Sequence, residues 1–197
     1  MKKTIFIFTF FILFISNAQT NNIKIIYDIK LVEENFKNTD SPIFFRLNFN
    51  AENTQLIFEK YDSVSSSYLI NDSEIDPTLY SLINLFYPQY HSFDNKTTFS
   101  YQNQNFLLKN VDYLLDITDN YVWDFLDETK EIGNYLCYKA VLKSIENSKG
   151  SFYPVTVWYC PAIPIEAGFK NYNNLPGAVL ELHEKHIAYL ATNIIFN

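Results

Sequence analysis

Alternation of apolar and polar residues is the dominant pattern along this chain. Every second residue from 23 to 31 is apolar, and 43–49 and 54–60 repeat the rhythm on either side of a turn at 50–53. Alternate side chains of a strand point to opposite faces of a sheet, so these runs predict strands, and the turn predicts a hairpin. Further strands are predicted at 67–70, 97–101, 105–109, 113–117, 135–142, 152–160, 178–183 and 186–194.

One segment has helical rather than strand periodicity. Its apolar residues are Leu79, Leu82, Ile83 and Phe86. Asp76 can cap a helix there, Pro77 suits its first turn, and Pro88 ends it. We therefore predict a mostly β fold of a single domain. Its curved antiparallel sheet forms a bowl or half-barrel, with one covering helix near 77–87.

The first 18 residues have the pattern of a secretory signal peptide. A basic start precedes an apolar run at 5–15, and Ser16 and Ala18 supply the small residues of a cleavage site. The apolar run is too short for a membrane-spanning helix. We expect cleavage after Ala18, no integral membrane span after cleavage, and an exported β domain at 19–197. That domain would lie in the periplasm, at the cell envelope or outside the cell. A retained N-terminal anchor is the alternative.

The charge balance narrows the range of partners. The chain has a net charge of −7, and loss of Lys2 and Lys3 with the signal peptide leaves 13 basic against 22 acidic residues, a net charge of −9. An acidic surface disfavours nucleic acid and anionic membranes. Aromatic residues make up 18% of the chain, which favours a β-rich fold with buried rings.

The two cysteines lie on strands that the pattern pairs with each other. If 147–150 is a four-residue turn, Glu146 pairs with Ser151, and the same register places Cys137 opposite Cys160. Export permits a disulfide between them, whereas a directly opposed pair in a regular ladder strains disulfide geometry. A possible disulfide and two buried free thiols therefore both stay open.

Two histidines near the C-terminus form the best candidate for a metal site. A two-residue turn at 184–185 would pair His183 with His186, with Glu181 on the same face. Imidazoles and a carboxylate are suitable metal ligands. The opposite face is the apolar one, so we expect these side chains to be solvated and to hold no metal.

Local signatures of common enzyme classes are missing from the sequence. It contains no Gly-rich phosphate loop, no Gly-x-Ser-x-Gly elbow, no HExxH motif and no CxxC pair. The acidic pairs at 33–34, at 127–128 and at 181 with 184 lie in charged runs, which are typical of solvated surfaces. We therefore expect no catalytic residue, no cofactor and no enzyme activity.

An ordered series of motifs extends from Trp123 to Leu182. After Trp123 come Glu-Thr-Lys-Glu-Ile-Gly-Asn-Tyr-Leu-Cys-Tyr-Lys-Ala at 128–140, Val-Trp-Tyr-Cys-Pro-Ala-Ile-Pro-Ile at 157–165, Gly168, and Asn-Leu-Pro-Gly-Ala-Val-Leu-Glu-Leu at 174–182. This series resembles the GLPGLI family of exported bacterial proteins. It departs from the family pattern at Asn174 in place of the first glycine, at 178–179, and at Phe169. Asparagine tolerates a positive φ, so the turn at Asn174 can survive.

The resemblance implies a fold and a compartment rather than a reaction. The family has no assigned activity and no established catalytic residues. It is similar to the bowl-like N-terminal domain of type II peptide-N-glycosidase F, which is not that enzyme's catalytic part. The matching residues are expected to be structural: Pro161 and Pro164 hold the chain extended, Pro176 and Gly177 turn it, and Trp158 and Leu175 pack beneath. The other matching positions are Tyr159, Ile163 and Gly168.

Two functional hypotheses follow. The first is a non-catalytic exported domain whose concave sheet face contacts an envelope ligand or partner, whether a hydrophobic molecule, a glycan or a protein. Its variant is an accessory glycan-binding domain. The second is an envelope hydrolase that uses carboxylates brought together by the fold. The hydrolase predicts two acidic side chains in one cleft, at least one with a raised pKa.

Overall fold

A computed structural model describes residues 22–31, 54–61, 64–71, 88–102, 111–142, 155–165, 169–170, 172–184 and 187–197. Within these ranges the chain forms eleven strands: β1 (Ile23–Leu31), β2 (Thr54–Tyr61), β3 (Val64–Asn71), β4 (Gln89–Ser92), β5 (Thr97–Gln102), β6 (Tyr113–Asp116), β7 (Trp123–Ile132), β8 (Tyr135–Leu142), β9 (Thr156–Cys160), β10 (Ala178–Glu184) and β11 (Ile187–Phe196). Several predicted features lie outside the described residues: the helix near 77–87, the strands at 43–49 and 105–109, and Gly168.

The eleven strands form one open, curved antiparallel sheet, which confirms the predicted fold class. Their order is β6-β5-β4-β3-β2-β1-β11-β10-β9-β8-β7. The first and last strands pair in the middle of the sheet, from Ile23 opposite Phe196 to Leu31 opposite Ile187. Since every pairing is antiparallel, the two edge strands β6 and β7 run in the same direction.

Chain connectivity requires the sheet to curve. Ten steps of about 4.8 Å between neighbouring strands would place the edges of a flat sheet about 48 Å apart. The edge strands β6 and β7 are joined by residues 117–122 alone. Such a connection spans at most about 25 Å when fully extended. The two edges must therefore approach each other, and the sheet wraps around an interior.

Most strand predictions hold, and two need correction. The bounds of β1 and β8 are those the alternation predicted. The predicted hairpin between 43–49 and β2 is wrong, because β2 is already paired on one edge with β1 and on the other with β3. Strand β7 continues through 127–131, a stretch that was not among the predicted strands, because an exposed edge strand can carry charged residues on both faces.

The core covers one face of the sheet, here called the inner face. Its buried residues include Ile25, Tyr27, Ile29, Leu56, Phe58, Val157, Leu182 and Tyr189. The chain between β9 and β10 packs against them: the ring centroid of Phe169 lies 4.3 Å from that of Tyr27 and 5.5 Å from that of Tyr189. The gap beside Phe169 leaves no space for a water molecule. Full burial of a side chain of this size contributes about 1.5–3 kcal/mol.

The two cysteines lie on the register predicted from the 147–150 turn. Strands β8 and β9 pair with Tyr138 opposite Tyr159, which places Cys137 and Cys160 next in line. Both are buried free thiols, so the structure forms no disulfide between them. Burial, with the neighbouring Cys160 adding to it, raises the pKa of the Cys137 thiol to about 12.

The backbone conformation of the turns between β9 and β10 accounts for the residues found there. Asn174 has a φ of 63°, so the asparagine does adopt the left-handed conformation expected of the glycine it replaces. At Gly177 a Cβ would overlap the carbonyl group of Cys160, so only glycine fits. Pro161 does not hold the chain extended as predicted. It occupies a turn closed by the bond from the Ile163 amide to the Cys160 carbonyl, 3.2 Å, where its fixed φ suits the second position.

Candidate binding site

Apart from Lys60, which pairs with Ser65, the inner face is apolar over β1 and β2 but polar over β3 to β5. Its buried polar residues there are Ser65, Ser67, His91, Thr98 and Ser100. They form two cross-strand rows: Ser65, His91 and Thr98 in one, and Ser67, Gln89 and Ser100 in the other. Residues that pair directly across antiparallel strands point to the same face, so each row lines the interior. We call these two rows the polar wall.

A neutral histidine lies at the centre of the polar wall. Nδ1 of His91 is 2.8 Å from Oγ1 of Thr98. Burial lowers the pKa of His91, because the charged imidazolium loses its hydration. At neutral pH the ring therefore supplies one hydrogen-bond donor and one acceptor without a charge.

A buried lysine lies next to the polar wall. Lys170 has a left-handed φ of 58°, and its amide donates to Oγ of Ser67 at 3.3 Å. Its ammonium group donates to Oε2 of Glu184 at 2.5 Å and lies 3.5 Å from the hydroxyl of Tyr189. Burial opposes the charged form, but Tyr189 and Glu184 outweigh it and hold the pKa of Lys170 above its usual value.

Tyrosine hydroxyls surround the Lys170–Glu184 pair. Burial raises the pKa of Tyr189 to about 12, and burial together with a hydrogen bond to Glu184 raises that of Tyr172 further. The ring of Tyr121 packs on Tyr172 at 5.1 Å between centroids. These groups stay protonated at neutral pH, so the centre of the site is an ion pair surrounded by neutral hydroxyls.

Two buried acceptors within the described residues have no hydrogen-bond partner. They are Oε1 of Gln89, in the polar wall, and Oδ1 of Asn173. Two other groups of Asn173 have partners: its Nδ2 donates to the Asp119 carbonyl at 2.9 Å, and its main-chain carbonyl accepts from Nε1 of Trp123 at 2.8 Å. Native proteins rarely leave such acceptors unpaired, so both mark positions where a donor is needed.

The sequence pointed to only part of this site. The alternation of β10 past Leu182 places Glu184 on the inner face, although it was predicted to be a turn residue in a solvated run. Ser67 was predicted only as part of a strand at 67–70. Nothing in the sequence singled out Lys170, because its burial depends on the path of the chain between β9 and β10.

The family-motif residues are divided between the two faces. Tyr159, Ile163 and Leu175 are buried, and Leu175 packs as predicted. Trp158 does not pack beneath the motif. It is half-buried on the face opposite the core, with Nζ of Lys130 at 4.4 Å and Nζ of Lys139 at 5.7 Å from its ring centroid.

The predicted turn between the last two strands is displaced. Glu184 pairs with Ile187 and His183 with Ala188, so the predicted turn at 184–185 and the predicted pairing of His183 with His186 are wrong. Nε2 of His183 lies 2.6 Å from Oε1 of Glu181. Among the described residues no group of three metal-ligating side chains converges, and no helix is long and apolar enough to cross a membrane.

Three of the described carboxyl groups have lowered pKa values. For Glu59, Asp116 and Glu181 the pKa lies below its usual value. At Glu181 burial acts against this shift, but hydrogen bonds to His183 and Lys130 outweigh it. A general acid of the kind predicted needs a raised pKa, which none of these three has.

Two solved structures of PNGF-II, a peptide-N-glycosidase F, are similar to this chain. The structure in space group C2 is 17% identical with a TM-score of 0.53, and the match covers 91% of this chain and 28% of that chain. The structure in space group P21 is 18% identical with a TM-score of 0.52, over 91% and 29%. The chain thus spans less than a third of PNGF-II, and the likeness shows the fold alone. No family model and no curated protein matches the chain.

Proposed function

We propose that this chain is an exported, non-catalytic accessory domain that binds a ligand on its inner face. The observation that carries the proposal is the polar wall, in which Gln89 has an unpaired buried acceptor, together with a second unpaired acceptor on Asn173 outside the wall. A buried acceptor without a donor costs about 1–3 kcal/mol. A ligand that donates a hydrogen bond to such an atom offsets its cost.

The lining favours a neutral, hydroxyl-rich ligand, and a glycan is the class that fits. The wall offers hydroxyls, an amide and the neutral imidazole of His91. The charges of the buried Lys170 and the partly exposed Glu184 already neutralise each other. A lipid-like ligand would leave the acceptors on Gln89 and Asn173 without donors, at a cost for each. The fold shared with part of PNGF-II supports a glycan-related role.

Export, family membership and the lack of catalysis are parts of the same proposal. The 1–18 pattern supports export, and the motif series from Trp123 to Leu182 supports membership of the GLPGLI family. The lowered carboxyl pKa values support a binding rather than a catalytic role.

The polar wall is shielded from solvent at Ser65 and Thr98. A ligand reaches these residues only after neighbouring groups move aside, so we expect slow association.

Native intact mass of the protein purified from an oxidising periplasm tests the proposal. We expect a mature N-terminus at Gln19 and a small-molecule adduct that is lost on denaturation. Neutral oligosaccharides added to the apo protein should raise its melting temperature. An apo mass with no shift on any oligosaccharide would overturn the binding role, and a lipid adduct would overturn the glycan class.

A matched pair of variants on β4 locates the site. Gln89→Leu replaces the unpaired acceptor at nearly constant volume, and we expect it to weaken oligosaccharide binding about tenfold. Tyr90→Leu changes the adjacent side chain, which is exposed on the other face, and should leave binding unchanged. Equal effects of both substitutions would place the ligand elsewhere.

A further inference from the structure

The two edges of the sheet form a strongly acidic surface. Residues 111–132, here called the acidic seam, comprise β6, β7 and the connection between them. The seam contains seven acidic residues and one lysine, a net charge of −6, against −7 for the whole chain. All seven acidic residues are exposed: Asp112, Asp116, Asp119, Asp124, Asp127, Glu128 and Glu131.

Large apolar side chains are also exposed along the seam, on both faces of the sheet. They are Val111, Leu114, Leu115, Val122, Phe125 and Leu126, with exposures between 36% and 60%. An exposed apolar group framed by one sign of charge is typical of an interaction surface rather than of a solvated one.

The seam also offers an open strand edge. Strand β7 is ten residues long and, in the part of the chain that the structure describes, pairs only with β8. The ladder is irregular between Phe125 and Thr129, so an added strand pairs regularly with β7 only on either side of that stretch. In a pair of two copies, acidic residues would face each other, and like charges opposite one another destabilise the pair.

We infer that the acidic seam binds an extended segment of a partner protein in which basic and apolar residues alternate. The segment pairs antiparallel with β7, so backbone hydrogen bonds hold it while its basic side chains meet the seam's carboxylates. Because β6 and β7 run in the same direction, such a segment is antiparallel to both edges. Lys130, the one basic residue of the seam, does not oppose it, since its ammonium group is held by Glu181 at 2.6 Å.

A labelled ten-residue peptide of alternating lysine and valine tests the inference, with a glutamate–valine peptide as the matched control. By fluorescence anisotropy we expect the lysine peptide to bind at least about tenfold more tightly than the control. High salt should weaken that binding, because it screens exposed charges. Amide hydrogen exchange should show new protection along β7 in the complex.

Two variants and one control separate the seam from the rest of the surface. Phe125→Ser and Asp127→Lys should each weaken the lysine peptide about tenfold. Phe196→Ser removes a phenylalanine of nearly equal exposure, 52% against 53%, far along the sheet, and should have no effect. Circular dichroism confirms that each variant is folded, and Asp127 is an exposed residue, so Asp127→Lys changes mainly the surface charge.

Several results would overturn the inference. Equal binding of both peptides would remove the electrostatic argument, and protection away from β7 would remove the site. A stable dimer in light scattering without peptide would show that a second copy occupies the seam. None of these results depends on the interior site, so the oligosaccharide experiments test the proposed function independently of the seam.

Discussion

The ammonium group of Lys170 lies 2.5 Å from Oε2 of Glu184, in a region where only 7% of the lysine side chain is exposed. Lys170 belongs to the chain between β9 and β10, whereas Glu184 ends β10. Their contact, together with the bond from the Lys170 amide to Ser67, fixes that part of the chain against β3 and β10. The pair therefore fixes the chain around Lys170 in its position next to the polar wall.

Loss of one partner of this ion pair should destabilise the fold strongly. Lys170→Met leaves the Glu184 carboxylate without its buried partner, and we expect a loss of about 3–5 kcal/mol in the free energy of unfolding. Urea denaturation measures it. The double variant with Glu184→Gln should recover part of that loss, because no uncompensated charge remains. Additive losses in the double variant would show that the two residues are not coupled.

Stability should fall steeply in alkaline solution. Unfolded tyrosines ionise near pH 10, whereas the folded-state pKa of Tyr189 is about 12 and those of Tyr27 and Tyr172 are also raised. The folded state thus holds more protons in this range, so the free energy of unfolding decreases as pH rises from about 10 to about 12. Urea titrations at stepped pH measure the slope. A flat profile would mean that these hydroxyls are accessible to water.

Stability should also fall in acid as Glu181 is protonated. Its folded-state pKa is lowered, so its contribution is present above the unfolded pKa of about 4.3 and is lost as pH falls below it. Lys130→Met removes one of its partners and should make the acid dependence shallower. Lys24→Met removes a partner of Glu59 instead, so the titration of the Glu181 carboxyl, followed by NMR, should change in Lys130→Met and stay unchanged in Lys24→Met.

Two glycines are required for different reasons: Gly177 because there is no space for a Cβ, and Gly133 because its φ is positive. Gly177→Ala forces a Cβ against the backbone of Cys160 and should cost about 3 kcal/mol. Gly133 has a φ of 59° but open space around it. Gly133→Ala should therefore lower the free energy of unfolding by only about 1–2 kcal/mol, the cost of a left-handed conformation for alanine. Thermal unfolding ranks the two. The reverse order would contradict the packing at Gly177.

The two thiols should resist modification in the folded protein. Cys137 and Cys160 are fully buried, and the thiolate is the reactive form, which the raised pKa of Cys137 disfavours. An alkylating reagent should add to neither residue under native conditions and to both in denaturant, as intact mass will show. A mass two hydrogens lighter than the reduced chain would instead reveal a disulfide.

Strand periodicity predicted the sheet well but the site poorly, and particular residues show why. Alternation from Ile23 to Leu31 reports a face that is buried, and that signal is local. The position of Lys170 against Ser67 joins residues far apart in the sequence, and no periodicity encodes it. The cysteine register followed from an assumed turn at 147–150, which lies outside the described residues, and the pairing of β8 with β9 agrees with it. The register of β10 with β11 was misjudged because a shift of one residue at the turn moves every pair.

Trp158 shows a different limit. Its place in an apolar motif indicated a core residue, yet the strand puts it on the face opposite the core, between Lys130 and Lys139. A strand that is buried on one face can also carry an apolar residue on its other face, where charged side chains of neighbouring strands cover it. Sequence alone does not separate the two cases.

The pairing of β1 with β11 has a consequence for folding kinetics. The amide of Asn197 donates to the carbonyl of Asn22 at 3.0 Å, so the two ends of the sheet-forming chain meet. That pairing joins the most distant strands in the sequence, and its loop-closure entropy slows folding. A circular permutant that links Asn197 to Asn22 and opens at 117–122 would make every strand pair consecutive, and it should fold faster than the native chain.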